Sequence, residues 1–190
     1  MNQIYLIRHG QTENNVKNIW GGCSEKCDVS LTETGRKQAD AVAEYLQNVG
    51  VKAVFCSHLK RAVETAERIS ARIGVPYHVK EDLHEVDYGA ADGLTYAEIE
   101  RNYPELYAKF MGTDMPLFDN AFPGGESVVE VLQRVLPVLA DICRHEECSA
   151  VVLHGGNINL LRRYFRDPVS QVKNCDVFRL AYDGTKLIHI

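Results

Sequence analysis

The sequence has no apolar run that approaches the roughly 20 residues needed to cross a membrane. Its first residues, Met1–Arg8, lack the basic segment and the apolar stretch of a secretion signal. Internal repeats, low-complexity tracts and long linkers are also missing. We therefore expect a cytoplasmic protein that does not enter a membrane and that forms one domain over residues 1–190.

Positive charge is in deficit, with 21 lysines and arginines against 26 aspartates and glutamates and a formal net charge of −5. A nucleic-acid-binding domain normally carries a basic face, so this balance weighs against a nucleic-acid partner. A local cationic pocket is still compatible with it, because net charge says nothing about where the charges lie.

Cysteine pairs with the two-residue spacing typical of zinc sites are absent. Among six cysteines, the pairs close in sequence are Cys23 with Cys27 and Cys143 with Cys148. In a reducing compartment we expect free thiols. No metal site is predicted, and a metal or redox role for the loop from Cys23 to Cys27 remains a minor hypothesis.

Short apolar runs alternate along the chain with amphipathic helical patterns. This alternation predicts an α/β fold, a three-layer αβα sandwich whose central sheet is mostly parallel with an antiparallel edge strand. Strands are predicted over 3–8, 52–57, 150–154, 177–182 and 186–190. Helices are predicted over 32–48, 59–73, 96–101, 105–111 and 127–142, with a further helix after Gly156. Pro137 predicts a kink or a break in the fifth of these helices.

Polar side chains follow three of the predicted strands. Arg8 and His9 end the first strand. Ser57 ends the second, shortly before Arg61, and His154 ends the third. Ligands of open α/β sheets bind beyond the carboxyl ends of the strands, so these side chains are expected to meet at one rim.

The residue types at this rim suit phosphoryl transfer. A histidine that is partly neutral near pH 7 can attack phosphorus and leave again, which divides one hard displacement into two easier ones, and His9 is placed to do this. Arg8 can hold phosphate oxygens with its planar fork. Arg61 lies in the first turn of a predicted helix, where anions are attracted. His154 can donate a hydrogen bond to a phosphoryl oxygen.

Cleavage of a phosphate ester also requires a proton donor for the departing alkoxide. One carboxyl group with a raised pKa can protonate the alkoxide and later activate the attacking water. The residues alone allow Glu13, Glu85 or Asp87 in this role. Thr12 and Asn15 can add hydrogen bonds to the phosphate.

A series of short motifs follows along nearly the whole chain: Arg8-His9-Gly10 with Thr12, Glu13 and Asn15; Leu31-Thr32 with Gly35, Gln38 and Ala39; Ser57, Leu59, Arg61-Ala62 and Thr65-Ala66; Leu83, Glu85 and Gly89; Pro123-Gly124-Gly125-Glu126-Ser127; and His154-Gly155-Gly156. Together these motifs resemble those of the histidine phosphatase superfamily, also called the phosphoglycerate-mutase-like family.

The resemblance implies a set of roles. His9 becomes the phosphorylated nucleophile, and Glu85 becomes the general acid and then the base. A small phosphorylated metabolite is implied as the partner, with no metal and no cofactor. The implied contacts to the phosphoryl group and the rest of the substrate come from Arg8, Thr12, Asn15, Gly22, Arg61, Tyr88, His154 and Gly155.

The superfamily contains phosphatases and mutases that share one catalytic core. A mutase must retain a bisphosphorylated intermediate, which requires additional cations. The stretch from Gly93 to Gly125 holds only Arg101 and Lys109 as cations among several acidic residues. We therefore favour the phosphatase branch, similar to α-ribazole phosphatases and broad-specificity phosphatases. A mutase and a non-catalytic phospholigand-binding protein remain alternatives, although the complete catalytic set argues against the latter.

Overall fold

A computed structural model of the chain describes residues 1–27, 29–112, 121–167 and 171–190. The described residues form one six-stranded sheet in the order β3-β2-β4-β1-β5-β6. Its strands are β1 (Asn2–Arg8), β2 (Ala53–Cys56), β3 (Tyr77–Val79), β4 (Cys148–Leu153), β5 (Val177–Tyr182) and β6 (Leu187–His189). The first four strands pair in parallel, whereas β5 pairs antiparallel with both β1 and β6. The predicted α/β class is confirmed, and the antiparallel edge consists of two strands.

The described helices are α1 (Glu13–Val16), α2 (Glu33–Val49), α3 (Lys60–Ile73), α4 (Tyr96–Asn102), α5 (Pro104–Met111), α6 (Val128–His145) and α7 (Gly155–Tyr164). Their ends follow the signals in the sequence. Thr32 caps α2 by accepting the N–H of Gly35, and Ser127 opens α6 with a capping box. Gly50 and Gly74 end α2 and α3 in the left-handed conformation, at φ of 78° and 74°.

The sheet carries a hydrophobic core on each face. Because successive strand side chains point to opposite faces, β1 contributes Ile4 and Leu6 to one core and Tyr5 and Ile7 to the other. Helices α6 and α7 cover the first core, while α2 and α3 cover the second. This is the predicted three-layer sandwich, and it leaves the carboxyl ends of the parallel strands at one rim.

Three elements differ from the sequence-based prediction. The short helix α1 was not predicted. Strand β3 was not predicted, since its three residues are all exposed and too few to show a pattern. Helix α6 continues past Pro137 to His145, so the predicted break does not occur. Val135 and Leu139, on either side of the proline, are buried against the sheet, and this packing outweighs the one backbone hydrogen bond that proline removes.

Within the described ranges, no helix has both the length and the apolar character to cross a membrane. All six cysteines fall in described parts of the chain, and each is an unpaired thiol. Cys27, Cys56 and Cys143 are buried.

Candidate active site

The register of two neighbouring strands brings two histidines together. In the parallel pair of β1 and β4, Arg8 lies opposite Leu153. The next residues, His9 and His154, therefore leave the sheet side by side, and their ring centroids are 5.3 Å apart. The backbone N–H of His9 donates to the Leu153 carbonyl at 3.0 Å, which fixes this arrangement. Both histidines are buried.

One nitrogen of the His9 ring is already occupied. Nδ1 lies 2.8 Å from the Gly10 carbonyl oxygen. A carbonyl oxygen can only accept, so Nδ1 carries the hydrogen of this bond and Nε2 keeps its lone pair. Burial lowers the pKa of His9 well below its ordinary value, and the charges of Arg61 and Arg8 lower it further. His9 is thus held neutral, with Nε2 as its nucleophilic atom.

Three arginines of the described chain, Arg8, Arg61 and Arg163, line the cavity that contains His9. Arg61, in the first turn of α3, is buried, and its guanidinium donates to the carbonyls of Gly22 at 2.9 Å and Cys27 at 3.1 Å. Arg8 donates from Nη1 to the Val172 carbonyl at 2.6 Å. The Arg8 Nε is buried and has no hydrogen-bond partner in the part of the chain that the structure describes. An anionic oxygen could accept from it.

Glu85 is the buried carboxyl group of the cavity. It accepts backbone N–H groups from Val86 and Gly156, both at 2.9 Å, and from Asn157 at 3.2 Å. Two of these donors belong to the first turn of α7. Burial raises the pKa of Glu85 above its ordinary value, although the three backbone donors oppose this shift. A raised pKa allows the group to hold a proton closer to neutral pH.

The structure distinguishes the three carboxyl groups that the residues alone allowed as the proton donor. Glu13 is exposed on the four-residue helix α1. Asp87 accepts the N–H of Gly89 at 2.8 Å and does not line the cavity. Of the three, Glu85 alone lines the cavity with His9.

Asn15 and Asn174 hold the N-terminus of α1 beside His9. The Asn15 side-chain oxygen accepts from the Thr12 N–H and from Asn174 Nδ2, both at 3.0 Å. Asn174 Nδ2 also donates to the His9 carbonyl at 3.0 Å. Asn15 itself lines the cavity. Asn174 was not predicted, because no motif surrounds it and only the tertiary structure brings it to His9.

The geometry agrees with the comparisons to known proteins. Residues 4–188 match the histidine phosphatase superfamily (branch 1). The chain belongs to this superfamily. The resemblance drawn from the motifs is thereby confirmed.

Proteins similar to this chain include named phosphatases. The chain is 36% identical over 170 residues to "6-phosphofructo-2-kinase/fructose-2,6-bisphosphatase" of Gallus gallus, covering 88% of this chain and 33% of that protein. It therefore spans about a third of the length of the curated relatives that it matches. A mycobacterial glucosyl-3-phosphoglycerate phosphatase superposes with a TM-score of 0.84 at 28% identity, over 99% of this chain and 96% of the other. Bacillus stearothermophilus YhfR superposes with a TM-score of 0.84 at 29% identity, over 100% of this chain and 95% of the other.

The remaining predicted contacts divide into two groups. Thr12, Asn15, Tyr88 and Gly155 line the cavity, which encloses about 900 Å³ of space including its open mouth. Gly22 and His154 do not line it. The carbonyl of Gly22 accepts from Arg61, and neither ring nitrogen of His154 has a hydrogen-bond partner among the described residues. Direct contacts of these two residues with a substrate stay predictions.

Many of the residues that line the cavity were not predicted from the sequence. They include Ile19, Trp20, Tyr96, Phe110, Met111, Asn159, Leu160, Arg163, Gln171 and Val172. These residues come from separate segments, and none belongs to a motif discussed above. The one signal in the sequence was Trp20, the single tryptophan of the chain.

A group of possible metal ligands lies outside the cavity. Cys23, Asp87 and Asp92 each offer one ligand atom, and these atoms lie within 4.8 Å of one another. Burial, together with the neighbouring carboxylates, raises the pKa of the Cys23 thiol to about 12. None of the three residues lines the cavity that contains His9.

Proposed function

We propose that this chain is a phosphoric monoester hydrolase that cleaves a small phosphorylated metabolite through a phosphohistidine at His9. One observation carries the proposal. The His9 ring is buried and held neutral, with Nδ1 occupied by the Gly10 carbonyl, so that Nε2 is available in a cavity that also contains Arg8, Arg61 and Glu85. Nucleophile, cations and proton donor thus share one cavity.

In the first step, Nε2 of His9 attacks phosphorus and the bond from phosphorus to the ester oxygen breaks. The proton of the Glu85 carboxyl group passes to the departing alkoxide. Arg8 and Arg61 hold the non-bridging oxygens, as fixed cations do at phosphoryl-transfer sites. The positive charge that develops on the His9 ring is stabilised because Nδ1–H already donates to the Gly10 carbonyl.

In the second step, a water molecule attacks the phosphohistidine. The Glu85 carboxylate, now without its proton, accepts a proton from that water, and the bond from phosphorus to Nε2 breaks. Inorganic phosphate leaves, and His9 and Glu85 return to their starting protonation states. His154, at 5.3 Å from His9 between ring centroids, is proposed to donate to a phosphoryl oxygen.

The test is release of inorganic phosphate from a panel of phosphorylated metabolites in the presence of EDTA. The panel contains 3-phosphoglycerate, α-ribazole phosphate, fructose bisphosphates and simple sugar phosphates. We expect release by the wild type and none by His9→Ala, and an acid-labile phosphohistidine in the wild type alone. His145→Ala is the matched control, since His145 is an exposed histidine at the end of α6.

Three results would contradict the proposal. Release that continues in His9→Ala would exclude His9 as the nucleophile. Isomerisation of phosphoglycerate without phosphate release would identify a mutase. Binding of phosphorylated compounds with neither turnover nor phosphohistidine would identify a phospholigand-binding protein.

A further inference from the structure

Four aromatic residues of the described chain line the cavity that contains His9, and one of them, Tyr88, is buried. The other three, Trp20, Tyr96 and Phe110, form the aromatic wall. Trp20 and Tyr96 are parallel within 2°, with ring centroids 5.5 Å apart, and Phe110 meets Trp20 edge-on at 6.0 Å and 86°. Offset parallel and edge-on pairs are the favoured geometries of aromatic side chains, so the wall is an ordered apolar surface.

The wall is held in place by the backbone and by the core behind it. The backbone N–H of Trp20 donates to the Leu94 carbonyl at 2.8 Å, and the backbone N–H of Tyr96 donates to the Asn18 carbonyl at 3.2 Å. Phe110 stacks on the buried ring of Phe122, with centroids 5.1 Å apart. Such a surface exists before a ligand arrives, and a preformed surface loses little freedom on binding.

The wall is not itself part of the buried core. Trp20, Tyr96 and Phe110 are only partly buried, whereas the neighbouring rings of Tyr88 and Phe122 are 2% and 1% exposed. The apolar area left on the cavity surface is therefore in contact with water. Release of that water by an apolar group is favourable, which makes the wall a binding surface.

The charges of the cavity lie mainly beside His9. Arg8 and Arg61 surround the transferred phosphoryl group in the proposed reaction. Arg163 also lines the cavity, and its Nη2 donates to the carbonyls of Phe110 at 2.9 Å and Gly112 at 2.6 Å, so it braces the wall. Among the described lining residues there is no lysine, and Lys173 lines an adjoining groove instead. A second phosphate would be recognised by further charge-assisted hydrogen bonds, whereas Trp20, Tyr96 and Phe110 add aromatic carbon surface to the cavity.

We propose that the aromatic wall binds the alcohol part of the substrate and selects phosphate monoesters whose alcohol carries an aromatic ring. The proposal rests on the hydrolase activity proposed above and deepens it by naming the class of leaving group. The ring of the substrate lies against Trp20, Tyr96 and Phe110 while the phosphoryl group reaches His9. The wall is a specificity determinant, because it contacts the part of the substrate that does not react.

The test compares 2-phenylethyl phosphate with ethyl phosphate. Both are primary alkyl esters with leaving groups of similar basicity, so Glu85 must protonate a similar alkoxide in each reaction. The ratio of their kcat/KM values therefore reports recognition of the ring. We expect the wild type to favour 2-phenylethyl phosphate by at least about tenfold, the effect of burying one aromatic ring against an apolar surface.

Three variants assign this preference to the wall. Trp20→Leu and Tyr96→Leu keep an apolar side chain but remove a flat ring face, and each should lower the ratio about fivefold or more. Tyr164→Leu is the matched control, since Tyr164 is an exposed aromatic residue of α7 that does not line the cavity. It should change neither the rates nor the ratio. Circular dichroism and thermal unfolding verify that each variant is folded.

The outcomes separate this proposal from the one on which it rests. Hydrolysis of both esters through phosphohistidine with a ratio near one would overturn the aromatic preference and leave the hydrolase intact. The same holds for an unchanged ratio in both folded wall variants. Higher kcat/KM for glucose 6-phosphate or fructose 1,6-bisphosphate would also overturn it, and the second case would point to the groove of Lys173. Absence of turnover and of phosphohistidine would overturn both proposals.

Discussion

Replacing Gly156 with alanine tests the close approach of α7 to the proposed proton donor. A Cβ atom at this position would lie 2.2 Å from Tyr88 Oη and 2.6 Å from Glu85 Oε1. Ordinary contacts begin at 3.4 Å, so these oxygens or the helix must move. The movement required is about 1 Å, and a displacement of that size at a catalytic group costs on the order of a hundredfold in rate.

Gly155 provides a graded comparison on the same helical turn. A Cβ there would lie 3.2 Å from Arg8 Nε, a contact that a shift of a few tenths of an ångström relieves. Both substitutions gain the same helix propensity, about 1 kcal/mol, so the difference between them isolates the clash. We expect kcat/KM for ethyl phosphate to fall about a hundredfold in Gly156→Ala and less than about tenfold in Gly155→Ala.

The assay is steady-state phosphate release with ethyl phosphate and with 4-nitrophenyl phosphate, together with thermal unfolding. The loss in Gly156→Ala should be larger for ethyl phosphate, because an alkoxide requires protonation by Glu85 more than a nitrophenolate does. Equal rates in the two glycine variants would refute the reasoning. So would equal losses on the two esters, since the effect would then not pass through Glu85.

Three further predictions concern the same site. Glu85→Gln should lower turnover of alkyl phosphates by about 10²–10⁴-fold and that of aryl phosphates much less, and equal losses would count against Glu85 as the acid. Because the pKa of His9 is held below 6.5 and that of Glu85 is raised above 4.5, kcat/KM should fall at low pH as His9 gains a proton and at high pH as Glu85 loses one. The midpoint of the low-pH limb should lie below 6.5, and Glu85→Gln should lack the high-pH limb; a profile unchanged in that variant would contradict this assignment. In Gly22→Ala the new Cβ would lie 1.7 Å from Asp92 Oδ1. The substitution should displace the Gly22 carbonyl that accepts from Arg61 and raise KM at least about tenfold. Gly21→Ala, with its nearest contact at 3.4 Å, should change KM little, and similar KM values for both variants would show that the loop does not position Arg61.

Local patterns were sufficient for most of the fold. Strand β5 begins and ends where it was predicted, and the Thr32 and Ser127 caps open the predicted helices. These signals are short-range, since they depend on neighbouring residues along the chain. Strand β3 was not predicted because it is held mainly by pairing with β2, which is a long-range contact.

The candidate site divides along the same line. His9 and His154 could be placed together because each ends a buried parallel strand, and such strands share one rim. Glu85 could not be distinguished from Glu13 and Asp87 on residue type, and the resemblance to a family supplied the choice. The structure gives a physical reason, since Glu85 alone is buried in the cavity, at the N-terminus of α7.

The sequence by itself determined the α/β class, the order of the elements and the polar residues at the strand ends, because periodicity and capping are written into neighbouring residues. The tertiary structure alone decided what surrounds them. Arg61 is oriented by carbonyls of a loop some 40 residues earlier in the chain, and Trp20, Tyr96 and Phe110 meet from three separate segments. Such contacts join residues that are distant in sequence, so they depend on how the helices pack against the sheet, which no local pattern records.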